Sequence, residues 1–267
     1  MRVVLDPGHG GRDSGAVGPN TYEKNNVLLL AQKVAEILRG NGVEVVLTRS
    51  DDRDFCPGYF NVDQDLQNRV AVANSSGADI FVSLHNNSGG GRGNEVYALQ
   101  PGGPGEKLAQ CIHARMLGLG MADRGVKFAR WYVVRKTMMP AVLVEYGFID
   151  TEEDVILSKM DQAAITIAQG IGEYLGITIS TEGAEHEVEY AVLAFGPDDL
   201  VGARRVAEKH GNCAIFVRKS DGTAPADVAK AKNLIIVGGG SVGHPNETLL
   251  TGPGWPKTMT EVAKYLG

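Results

Sequence analysis

A chain of 267 residues, 43% apolar and 22% charged, has ordinary globular composition and enough length for one large domain and a smaller one. Its formal charge of −6 excludes nucleic acid as the main partner, since phosphate binding needs a basic face. No apolar run approaches the length of a membrane span, so no membrane partner is expected.

The chain opens on Met1-Arg2 and runs straight into Val3-Val4-Leu5, read as the first strand. That leaves no room for a charged segment, an apolar segment and a cleavage site. Synthesis in the cytoplasm without a signal peptide is the expectation, with action elsewhere only after release. Cys56, Cys111 and Cys213 are odd in number, far apart and without CxxC spacing, and read as free thiols.

After the glycine-rich turn that follows the first strand, Val27, Leu28, Leu30, Ala31, Val34, Ala35 and Leu38 predict a helix ending at Gly40. A strand is expected over 43–47, an irregular polar stretch over 48–61 and a helix over 63–75. Strands follow at 79–84 and 95–99, separated by a glycine-rich loop. A helix over about 105–117, strands at 131–134 and 140–145, and a helix over 162–175 complete the unit. Such alternation predicts an α/β fold, an open, mainly parallel sheet flanked by helices.

Residues 178–187 break the pattern and read as a linker, dividing a first domain, 1–177, from a second, smaller α/β domain, 188–267. In the second, strands are expected at 188–194, 213–217 and 234–237, with helices over 197–210, 224–231 and 258–266. Gly238, Gly240 and Gly243 formally spell a dinucleotide fingerprint. It follows what reads as the last strand and leads into His244-Pro245-Asn246 instead of a helix, so glycine turns explain it better.

Chemistry concentrates at strand ends. His9 lies in Asp6-Pro7-Gly8-His9-Gly10-Gly11, His85 ends Ser83-Leu84-His85, and Glu145 ends Leu143-Val144-Glu145. Strand ends at one rim of an open sheet converge where such folds bind ligands. Two imidazoles with one carboxylate and water form a catalytic zinc set, and a further carboxylate near the metal would serve as base. Glu23, in Tyr22-Glu23-Lys24, also suits a helix N-terminus through the dipole. His113, His186, His210 and His244 read as ordinary surface or core histidines.

Six blocks carry a resemblance. Asp6 to Gly11, Glu23-Lys24-Asn25-Asn26, Thr48-Arg49, Arg69 through Asn74, Ser83 to Asn87 and Val144 to Ile149 occur in order. Over roughly residues 1–176 they resemble the zinc-dependent N-acetylmuramoyl-L-alanine amidases of the amidase-3 type. The resemblance implies peptidoglycan as substrate, one zinc per chain on His9, Glu23 and His85, and Glu145 as the catalytic glutamate. Arg69 and Asn74 fall on a pattern taken as packing a helix onto the sheet. Asn94 departs from it, since relatives often carry an apolar residue there, which leaves the local groove wall open.

The second domain resembles, more weakly, clostridial-type cell-wall-binding repeats. Binding of a secondary cell-wall polymer or self-association into a homo-oligomer is expected of it. A phage endolysin is the first expectation for the whole, a sporulation or mother-cell lysis amidase the second, and a catalytically inactive wall-binding protein the rival of another class. A metallopeptidase is the enzymatic rival.

Overall fold

A computed structural model describes residues 1–180, 188–211, 213–219, 222–225, 228 and 231–267. The chain divides into two compact units, Met1–Thr181 and Glu182–Gly267. Residues 181–187, including His186 and most of the expected linker, lie outside the described residues.

The apolar runs of the first unit form β1 (Arg2–Pro7), β2 (Glu44–Leu47), β3 (Ile80–Asn87), β4 (Asn94–Ala98), β5 (Asp123–Phe128) and β6 (Ala141–Phe148). They make one sheet in the order β2-β1-β3-β6-β4-β5. Every neighbouring pair is parallel except β4 with β6, so the sheet is mainly parallel, as expected. The helices are α1 (Glu23–Gly40), α2 (Val62–Ser75), α3 (Pro104–Met116), α4 (Tyr132–Lys136), α5 (Ile149–Ser158) and α6 (Met160–Leu175). The α1 stripe of Val27, Leu30, Ala31, Val34, Ala35 and Leu38 is buried at helical spacing.

Helices α1 and α3 each pack against α6, α1 also packs onto β1 and β3, and α3 onto β4 and β6. Helices α2 and α4 close over the sheet face that carries Val4, Phe81 and Leu143. Side chains alternate along a strand, so this same face carries Asp6, Ser83, His85 and Glu145 further toward the strands' C-terminal ends. The register aligns those ends: Pro7 pairs with Leu84 and His85 with Glu145.

Two elements differ from the sequence reading. The strand expected over 131–134 is the short helix α4, whose Val133 and Val134 are buried in the cluster that α2 also lines. A four-residue apolar run does not distinguish strand from helix, and burial under α2 decides it. Strand β5 was not expected, because Asp-Arg-Gly-Val-Lys-Phe is charged and half-exposed at the sheet edge.

The second unit holds a wholly parallel sheet in the order β10-β9-β7-β8, from β7 (Val188–Ala194), β8 (Ala214–Val217), β9 (Ala231–Val237) and β10 (Glu247–Leu250). Helices α7 (Leu200–Lys209) and α8 (Trp255–Leu266) bury Ala203, Val206 and Val262 against Val192, Ile235 and Val237. Half of the expected helix over 224–231 falls outside the described residues; 224 and 225 are not helical, and the last position, Ala231, opens β9. The triple glycine after β9 does not follow the last strand, because β10 comes next, and no helix begins directly after it. Among the described residues, no helix is long and apolar enough to cross a membrane.

Candidate active site

The loop after β1 presents His9 in a strained conformation. Its φ of 59° makes it the left-handed non-glycine residue among the described ones, a geometry that persists only where surroundings enforce it. Two buried arginines supply that enforcement. Arg69 donates to Pro7 O at 2.7 Å and to the carbonyl of His9, and pairs with Asp6 at 3.0 Å and Asp65 at 2.6 Å. Arg49 donates to Pro7 O at 3.0 Å and to Gly8 O and Lys24 O at 2.8 Å each. Close approach also requires glycine nearby. A Cβ on Gly8 would lie 2.1 Å from His85 Cε1, and one on Gly15 would lie 2.6 Å from Glu23 Oε2 and His9 Cδ2.

Glu23, the first residue of α1, reaches between the two imidazoles. Its Oε2 is 3.2 Å from His9 Nε2 and its Oε1 is 2.9 Å from His85 Nδ1. The rings meet edge to face with centroids 4.9 Å apart, and the three ligand atoms all lie within 4.8 Å of one another. Donors about 2.0–2.1 Å from a tetrahedral zinc stand about 3.3 Å from each other, so this spacing and this donor set fit such an ion. Asp13 Oδ2 accepts from His9 Nδ1 at 2.8 Å, which leaves Nε2 as the ring's ligand atom. Burial works against a charged His9, but Asp13 and Glu23 outweigh it and lift the imidazole to about 9. Burial likewise opposes Glu23's charge, and His85 and His9 overcome it, pushing the carboxyl far down.

Glu145 stands on β6 directly beside His85 of β3. Its Oε2 is sealed from solvent and has no hydrogen-bond partner among the described residues. Burial, with the charges of Glu23 and Glu95, raises its pKa well above the ordinary carboxylate value, against a smaller opposing effect of His9. A half-buried carboxylate with one sealed, unpartnered oxygen beside a cluster of metal-ligating side chains is equipped to take up and release a proton.

Residues 3–177 match the family model described as N-acetylmuramoyl-L-alanine amidase. The chain belongs to this family. It is 38% identical over 174 residues to the sporulation-specific N-acetylmuramoyl-L-alanine amidase of Bacillus subtilis, covering 64% of this chain and 65% of that one. It is 40% identical over 180 residues to the endolysin of Bacillus phage SPP1, with 64% and 63% covered. The chain thus spans just under two thirds of both relatives. The catalytic domain of CwlV, an N-acetylmuramoyl-L-alanine amidase from Bacillus (Paenibacillus) polymyxa var. colistinus, superimposes with a TM-score of 0.59 at 38% identity, covering 66% of this chain and 99% of that domain.

Sequence reasoning missed several residues of this amidase-family site. Asp13 and Gly15 carry no signal beyond their closeness to His9, and Arg49 belongs to the Thr48-Arg49 block of the resemblance but was given no role. Arg69 does more than pack a helix, since it fixes the His9 carbonyl. Asn74 links α2 to the chain after α4, donating to Lys136 O at 3.1 Å and accepting from Met138 N at 2.9 Å. Asn94 is buried at the start of β4, its side-chain amide unpartnered among the described residues. A second cluster, Asp54, Cys56 and Asp65, has its carboxylates committed to Arg12 and Arg69 at 2.6 Å each. His113 approaches Asp123 at 3.0 Å, His210 stacks on Tyr190, and His244 bonds Ala231 O; none of the three is a member of either cluster.

Proposed function

We propose that the protein is a zinc-dependent N-acetylmuramoyl-L-alanine amidase acting on peptidoglycan. It hydrolyses the amide joining the lactyl group of N-acetylmuramic acid to the L-alanine that starts the stem peptide. The observation that carries this reading is the convergence of His9, Glu23 and His85 beside Glu145, one of whose carboxylate oxygens is sealed and unpartnered. One zinc per chain, held by those three side chains, supplies a water with its pKa lowered to roughly 7 and a polarised amide carbonyl. Glu145 accepts the proton on its carboxylate and returns it to the leaving amine nitrogen. Its burial favours the protonated form and so supports the second transfer. Asp13 keeps His9 in the tautomer that turns Nε2 inward.

The proposed setting is wall lysis, as the name of the SPP1 endolysin says of that protein; the sporulation-specific relative supports the second setting, lysis or remodelling during sporulation. For the second unit we propose attachment to a wall polymer or self-association, supported by a sheet and apolar clusters of its own. Metal analysis and turnover test the site assignment together. His85→Ala should lose zinc and activity at once, because two protein ligands rarely hold a catalytic ion. Glu145→Gln should keep stoichiometric zinc while turnover falls by roughly 10²–10⁴. Loss of zinc from Glu145→Gln would instead make Glu145 a ligand and refute the division of roles.

A further inference from the structure

Next to the base lies a charge cluster that the chemistry above does not use. Glu95 on β4 pairs directly across the antiparallel ladder with Glu145, and Tyr97 on β4 pairs with Lys127 on β5. The Glu95 carboxylate is 1% exposed, yet four donors converge on it. Asn87 Nδ2 and Tyr97 OH donate to Oε1 at 2.8 and 2.9 Å, while Arg124 Nε at 2.6 Å and Lys127 Nζ donate to Oε2. Burial works against the charge of Glu95, but Lys127, Arg124 and Tyr97 outweigh it and hold the carboxyl below its usual range.

One buried anion therefore anchors two cations, leaving one positive charge in excess. Both cations remain about a third exposed. No hydrogen bond among the described residues uses either terminal nitrogen of Arg124, whose guanidinium lies 4.8 Å above the Phe148 ring. Glu95 thus holds the cations in place without exhausting them, and a fixed guanidinium with unspent donors is suited to a carboxylate.

Direction follows from the order of the strands. The proposed metal ligands sit in the loop after β1, on α1 and on β3; Glu145 follows on β6, and β4 and β5 lie beyond it. The group that protonates the leaving amine stands on the leaving group's side, so the departing peptide runs from Glu145 over β4 toward β5. Neighbouring strands are about 4.8 Å apart, which places β4 and β5 about 5 and 10 Å from β6. Two residues of extended peptide reach about 7 Å. We propose that Arg124 and Lys127, held by Glu95, form a specificity site for a free carboxylate on the second residue of the peptide released by the reaction. This rests on the amidase reading and goes beyond it by naming the peptide the site prefers.

The test compares the γ-methylamides of two compounds, N-acetylmuramoyl-L-alanyl-D-glutamate, whose one free carboxylate on the second residue is then the α-carboxylate, and the same compound carrying D-isoglutamine, in which that group is an amide. The zinc-loaded protein should turn over the acid with about tenfold higher kcat/KM, the difference lying in KM. Arg124→Gln and Lys127→Gln should each erase most of that preference by lowering kcat/KM on the acid more than on the amide, and Lys127→Arg should retain it. Calorimetric binding of the γ-methylamides of L-alanyl-D-glutamate and L-alanyl-D-isoglutamine gives the same comparison without turnover, and should show the same preference and the same loss. Equal turnover of both substrates, or an equal fall for both in the variants, overturns the proposal while the amidase reading stands. Turnover of neither substrate by zinc-loaded protein overturns that reading, and this proposal with it.

Discussion

Removing Asp13 should weaken zinc binding without touching a ligand. Its Oδ2 accepts the Nδ1 proton of His9 at 2.8 Å, and both side chains are about a quarter exposed. Partners of this kind fix the ring and its tautomer, and their loss costs about 10–100-fold in metal affinity. At about 1.4 kcal/mol per tenfold, that is about 1.4–2.8 kcal/mol. Water can reach a quarter-exposed ring and replace part of the interaction, so Asp13→Ala is expected near the tenfold end. Asp13→Asn keeps an acceptor oxygen but not the charge, and a neutral hydrogen bond has about half the strength of a charged one, so its loss should be smaller. Competition against a chromophoric chelator measures the affinity directly. Asp13 Oδ1 also accepts from Gly15 N at 3.0 Å, so the melting temperature of metal-free protein must be followed in parallel. Zinc affinity within twofold of the wild type, in a folded Asp13→Ala protein, would refute the reasoning.

Acid stability should depend on Asp6. Burial opposes its charge, but Arg69, Thr48 and Ser83 prevail and hold its carboxyl below the ordinary range. A lowered folded-state pKa means the unfolded chain binds the proton more readily, so this contribution is complete above about pH 4 and is lost as pH falls through the folded value. Asp6→Asn should flatten the acid limb of melting temperature against pH, and an unchanged limb would contradict the assignment. A protein of residues 1–181 should fold and cut soluble muropeptides yet lose activity on intact walls, if the second unit supplies attachment. Ending it at 177 would remove the hydrogen bonds of Ser180 with Asn41, so the longer form is the fair one. Equal lysis of walls by the truncated and full chains would leave the second unit without that role.

Strand ends were readable because their signals are local. Val3-Val4-Leu5 before a glycine-bounded histidine, and apolar runs ending in His85 and Glu145, predict both the strands and the rim on which they meet. Glu23 was readable only through the resemblance, since a carboxylate at a helix start has an ordinary explanation. What stayed hidden depends on contacts between distant segments. Arg49 and Arg69 become part of the site only when the chain after β2 and helix α2 fold around the His9 loop. Asp13 matters through a ring tautomer that no spacing encodes. Strand β5 was missed because its charged residues do not alternate with apolar ones; Arg124 and Lys127 turn to Glu95 on a neighbouring strand and Asp123 to His113. The helix at 132–136 was read as a strand because burial, not periodicity, decides so short a segment.

The bond that is cut tests the central claim most directly. Purified peptidoglycan digested with zinc-loaded protein should yield peptides with free L-alanine amino termini, found by mass spectrometry, and no new reducing sugar ends. The Glu145→Gln protein should release neither. New reducing ends would identify a glycosidase, and amino termini other than L-alanine would identify a peptidase; either would contradict the account.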